Sequence, residues 1–228
     1  MHANLKHAAR DVDSGNVLCG AANGPKKESQ LAETIMRFLR ASGRTAVPWK
    51  NGGGTTNEVA VFPQGAGFDD FGWRISIADI SRGGPFSQFP GIDRTLAMLK
   101  GRVSLSIAGR DAVALSADAP PVAFSGDVST SAELIDGAAT DLNVMTRRGA
   151  FGAGMTRRSC AEPVTTASDA VATFLFPLTA ATLRDTLADI PLVLGDAILL
   201  AAGESAELHA QPNADLYEVA IFRAGNPG

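Results

Sequence analysis

Phe71-Gly72-Trp73-Arg74-Ile75-Ser76-Ile77-Ala78-Asp79 decides the fold class. Trp73, Ile75 and Ile77 fall on one face, and Arg74, Ser76 and Ala78 on the other. Period two marks a β-strand, because successive side chains leave opposite faces of a sheet. Arg74 is either an exposed cation or a charge pointing into a polar interior.

The same rhythm runs outward in both directions. Residues 59–62 read as a strand, and 94–99 with 103–107 as a hairpin closed at Gly101. Short strands follow at 112–115, 122–124, 132–135 and 141–148, the last with Asp141, Asn143, Met145 and Arg147 on one face. Further strands are read at 172–176, 192–194, 197–200, 207–209 and 216–222. Residues 31–39 fit a short helix, or 36–40 an opening strand; 179–187 is the helix expected after that. Many short strands between Gly and Pro turns mean a β-sandwich or barrel. The segments 94–127 and 194–204 both have the rhythm of a cupin barrel, which implies an internal duplication. The fold expected is all-β and cupin-like, an RmlC-like jelly roll, with two tandem barrels. The division is 1–35 as a flexible extension, 36–126 as the first barrel and 127–228 as the second, with 36–228 one unit. Met36 is a credible start of translation.

The composition bounds the function. The chain has 228 residues, 45% hydrophobic and 19% charged, with a formal net charge of −4. That balance does not point to nucleic acid. No apolar run approaches the roughly 20 residues of a membrane span, and residues 1–27 lack the apolar centre of a signal peptide. A cytoplasmic protein is expected. Two cysteines, Cys19 and Cys160, do not make a disulfide framework.

One loop stands out: Pro48-Trp49-Lys50-Asn51-Gly52-Gly53-Gly54. Three glycines permit positive φ and close approach of a ligand or strand. Trp49, Lys50 and Asn51 set a flat plate, a cation and an amide beside them, which makes either the wall of a small-molecule pocket or a plain turn.

With Trp73-Arg74-Ile75-Ser76-Ile77-Ala78, Gly84-Pro85-Phe86-Ser87-Gln88-Phe89-Pro90-Gly91-Ile92-Asp93-Arg94 and Asp141-Leu142-Asn143-Val144-Met145-Thr146-Arg147-Arg148-Gly149, this loop resembles the HutD/Ves family over residues 36–224. The resemblance implies a two-barrel cupin-like fold and an association with histidine utilisation, or with stress in a relative. It implies a regulator that binds a pathway metabolite such as urocanate or a formylated glutamate derivative, rather than an established enzyme.

Cupins usually hold a metal through His and Glu. Aligned on Gly101, the glutamate position of the first cupin motif falls on Arg94. Beyond residue 35 the chain has one histidine, His209, so several imidazole ligands cannot come from one subunit. No metal and no other cofactor is expected; a set of Glu58, Asp79 and Asp93 is the weak exception. A guanidinium in that place favours an anion, because its planar fork matches a carboxylate. The expected ligand is a small carboxylate. Its candidate residues are Trp49, Lys50, Asn51, Arg74, Ser76, Phe89, Asp93, Arg94 and Asn143, with Phe86 as a further ring that stacks on a flat ligand. The structural alternative is an Asp93–Arg94 ion pair or turn cap. Two other functions compete: a metal-independent hydrolase, isomerase or lyase using Asp79, Asp93, Glu58 or Lys50, and a protein-interaction module, with a homodimer left open.

Overall fold

The stretch that opened the sequence analysis forms β4 (Trp73–Ile80), and its apolar face is buried: Trp73 is 4% exposed, Ile75 0% and Ile77 6%. The structure, a computed structural model, describes residues 36–159, 164–167, 169–184, 189–202, 204–210 and 214–225, all within one unit spanning 31–228. The expectation of a flexible 1–35 lies outside the described residues.

Four antiparallel sheets account for the strands. A six-stranded sheet runs β2 (Ala46–Pro48), β3 (Gly54–Phe62), β4, β11 (Ala139–Arg147), β6 (Ile92–Lys100) and β9 (Val122–Ser125). A four-stranded sheet runs β5 (Gly84–Pro85), β10 (Thr130–Leu134), β7 (Arg102–Ile107) and β8 (Val113–Ser116). A five-stranded sheet runs β1 (Arg37–Leu39), β17 (Ala197–Leu200), β14 (Ala170–Pro177), β19 (Asp215–Arg223) and β12 (Phe151–Ser159). The last runs β13 (Val164–Thr165), β18 (Ser205–Ala210), β15 (Ala181–Arg184) and β16 (Asp189–Leu192).

Among the described residues four apolar clusters form; the three largest lie between these sheets, and the fourth joins Phe71, Ile92 and Met145. Leu96, Met98 and Phe124 of the six-stranded sheet pack on Val103, Leu105, Ile107, Leu115 and Ala132 of its four-stranded neighbour. The opposite face packs on the five-stranded sheet, Trp73, Ile75 and Leu142 meeting Phe174, Phe176 and Tyr217. Leu175, Ile198 and Leu216 on the far side of that sheet pack on Leu183, Leu192 and Leu208. Alternation therefore gives each large sheet two buried faces, which is why its central strands carry few charges. Trp73 stacks on Phe62 at 5.9 Å between ring centres and meets Phe174 edge-on at 5.6 Å, tying two sheets together.

The fold is all-β and cupin-like, with two corrections. Residues 181–184 of the expected helix are strand β15: Ala181 and Leu183 are buried, Arg184 is exposed, and sheet neighbours flank both sides. Pairing outweighs the local helix preference of Ala, Leu and Arg; residues 185–188 lie outside the described residues. Each sheet is open, beginning and ending on an edge strand. Sheet membership changes over at the 148–150 turn, and β1 joins the later strands.

Candidate functional site

Cross-strand register builds the site on one face of the six-stranded sheet. Directly paired residues share a face. One row reads Val61, Arg74, Met145, Arg94 and Phe124 across β3, β4, β11, β6 and β9. The next reads Glu58, Ser76, Asn143 and Leu96, and the third Thr56, Ala78, Asp141 and Met98. Two arginines, a serine, an amide and two carboxyls, Glu58 and Asp141, thus lie on the face turned toward the four-stranded partner.

Arg94 dominates the electrostatics. It is 8% exposed and forms no ion pair among the described residues. Its polar contacts are long: Nε donates to Asn143 Oδ1 at 3.4 Å, and Nη1 to the Ser87 carbonyl at 3.5 Å. Three rings surround the guanidinium, Phe86 and Phe124 at 5.1 Å and Phe89 at 5.8 Å. Aromatic faces attract a cation but carry no full negative charge. Burial lowers the Arg94 pKa to about 10, against the pull of Asp141, which raises it. A buried cation without a counter-charge costs several kcal/mol, and an anion in this space would offset that cost.

Arg74 is better satisfied. Its Nε stands 2.9 Å from Glu58 Oε2, an ion pair whose angle does not make an aligned hydrogen bond. Phe68, 57% exposed, covers its guanidinium at 4.2 Å and stacks on Phe89 at 5.6 Å. An aromatic flap therefore lies over the two arginines.

Asp141 is 3% exposed, and its Oδ1 has no hydrogen-bond partner. Burial pushes its pKa up to about 7; Arg94 and a hydrogen bond from the Ala78 backbone oppose the rise, and Asp79 adds to it. Two guanidiniums beside two carboxyls, one of them already paired with Arg74, do not fit a metal cation, and among the described residues no three His, Cys, Asp or Glu side chains converge.

Of the residues picked from the sequence, Arg74, Ser76, Arg94 and Asn143 share this face, and Phe89 stands at its edge. The others do different work. Asp93 points to the opposite side of β6, where Arg148 holds it at 2.7 Å; the alternative of an Asp93–Arg94 pair does not form. Adjacent strand residues face opposite ways, so the Asp93 carboxylate and the Arg94 guanidinium leave β6 on different sides. Arg148 also binds Asp127 at 2.8 Å; Asp93 and Arg148 line a cleft of about 650 Å³ with Arg110, Thr146 and Gly152, to which Arg94 and Phe124 also contribute. Lys50 is exposed. Asn51 accepts the Gly53 N–H at 2.9 Å, and Trp49 Nε1 donates to Thr56 Oγ1 at 2.7 Å, so both brace the hairpin. Of the weak carboxylate set, Glu58 is paired with Arg74, Asp93 with Arg148, and Asp79 accepts from Thr140 at 2.9 Å. Asp141, Phe68 and Phe124 were missed. The signal for Asp141 was its place on the Asn143 face of an alternating run.

The chain is similar to known proteins. An uncharacterised 21.2 kDa protein of the hutC 3′ region of Pseudomonas putida is 39% identical over 119 residues, 48% of this chain and 57% of that protein. The chain spans about half the length of the curated relatives it matches. Among solved structures, a conserved protein of unknown function from Pseudomonas aeruginosa PAO1 superposes with a TM-score of 0.71 at 30% identity, over 83% of this chain and 100% of that one. HutD from Pseudomonas fluorescens SBW25, solved in a formate condition, gives 0.70 at 26% over 84% and 100%. The bacterial pirin YhhW of Escherichia coli, at 10% identity and a TM-score of 0.55 over 82% and 98%, shares the fold alone. Residues 41–217 match the HutD family model, and the chain belongs to the HutD family.

Proposed function

We propose that this protein is a cytoplasmic regulator linked to histidine utilisation, which senses or sequesters a small carboxylated metabolite. Urocanate and a formylated glutamate derivative are the ligands it is built for. We take its two sheet pairs as tandem cupin-like halves and place the ligand in the first. One observation carries this: Arg94 is buried, unpaired by any described carboxylate, and ringed by Phe86, Phe89 and Phe124. A carboxylate would satisfy its fork, and the rings would stack on a planar ligand. The relative of the hutC region and the HutD solved in a formate condition support the same reading.

Calorimetric titration of urocanate, formylglutamate and formate tests it. A charge-assisted contact contributes about 1.5–3 kcal/mol. Arg94→Ala should weaken binding about 10- to 150-fold, and Arg94→Lys should restore part of it. Failure of all three ligands to bind the wild type, or equal binding by Arg94→Ala, would remove the proposal.

A further inference from the structure

The same interior holds two mismatched groups. Arg94 has no carboxylate partner among the described residues, and Asp141 has an Oδ1 with no donor, although each is more than nine-tenths buried. They share one sheet face, two rows apart, with Asn143 in the row between them. We propose that Asp141 is a further residue of the ligand site, and that a carboxylate enters beside Arg94 together with one proton, which Asp141 holds. The pocket would thus take a weak acid as anion plus proton. This rests on the reading of Arg94 as the anion site.

The charges facing Asp141 make the coupling follow from Coulomb's law. Arg94 on β6 is the cation that acts on it, and Asp79 on β4 the nearby anion. Glu58 on β3 is paired with Arg74 on β4. The four-stranded sheet above presents Val103, Leu105, Ile107 and Leu115, with no ionisable side chain among them. Lys50 and Lys100 are exposed at the sheet ends. An anion on Arg94 occupies the charge that opposes protonation of Asp141 and adds one that favours it. Protonated, Asp141 offers its Oδ1 as a donor toward the ligand, which removes the unpartnered atom. The free carboxyl titrates near neutrality, so the proton is available to bind in that range.

The test uses the whole chain and formate, which does not itself titrate between pH 6 and 8. Wild-type protein should bind formate about tenfold more tightly at pH 6 than at pH 8, given a free value of about 7. Calorimetry at pH 8 in two buffers of different ionisation enthalpy should show uptake of roughly half to one proton per formate. Asp141→Asn should bind at both pH values as the wild type does at pH 6, without proton uptake. Binding by the wild type with no proton uptake and no change with pH overturns the role of Asp141 and leaves the Arg94 reading standing. A pH dependence that survives in Asp141→Asn overturns it too. No formate binding at pH 6 overturns the role of Asp141, and the Arg94 reading falls with it only if urocanate and formylglutamate fail to bind as well. The two-buffer measurement needs no variant, so a misfolded Asp141→Asn would not protect the proposal.

Discussion

Asp141 governs stability as well as binding. An unfolded aspartate titrates near 3.9, and this one is pushed up to about 7 in the fold. Between those values the folded chain keeps a proton that the unfolded chain releases, so this group costs stability as pH rises. The cost starts near pH 4 and is complete above pH 7, at up to about 4 kcal/mol. The melting temperature of Asp141→Asn relative to wild type should therefore climb between pH 4 and pH 7.5; a difference that stays flat would contradict the burial argument. Residue choice was half legible in the sequence. Arg74, Ser76, Arg94 and Asn143 could be placed because alternation put them on the polar side of strands. Asp93, the strand neighbour of Arg94, faces the other way and pairs with Arg148. Asp141 was hidden because its surroundings come from Ala78 and Met98, far away in the chain and brought together by register.

At the scale of elements, the glycine run is a hairpin device. Gly52 has φ +65°, and the Gly54 backbone lies so close to the Asp79 carbonyl that a Cβ would collide with it and sit 3.2 Å from the Trp49 ring. Gly54→Ala should cost about 1–3 kcal/mol by overpacking, read from denaturant unfolding. Gly152→Ala in β12, where a Cβ meets nothing within 4 Å, should change stability by less than about 0.5 kcal/mol. Equal effects would show that the close approach is not what the glycine serves. The loop's architecture was legible, and in the structure Trp49 and Asn51 brace the turn through Thr56 and Gly53. The expected helix over 179–187 failed for a related reason. Its Ala, Leu and Arg suit a helix locally, while pairing with β16 and β18 is invisible to local periodicity.

At the scale of the molecule, the six- and five-stranded sheets share a core, so the two sheet pairs should not unfold separately. Arg157 on β12 adds a link, reaching Asp215 at 2.6 Å and, beyond its own sheet, Asp118 at 3.2 Å. Phe174, fully buried at this junction, should cost about 3–5 kcal/mol when replaced by Ala, within a single calorimetric transition. Two separated transitions would contradict a shared core. Strand content was legible because period two is local; the layering of sheets was not, because it depends on pairings between distant segments. The central claim is that the interior beside Arg94 takes a carboxylate, and bromoacetate soaked into crystals tests it most directly. The account predicts an anomalous bromine peak between Arg94, Asn143, Phe86 and Phe89, lost in Arg94→Ala; a peak confined to the cleft at Arg110 and Arg148, or none at all, would contradict it.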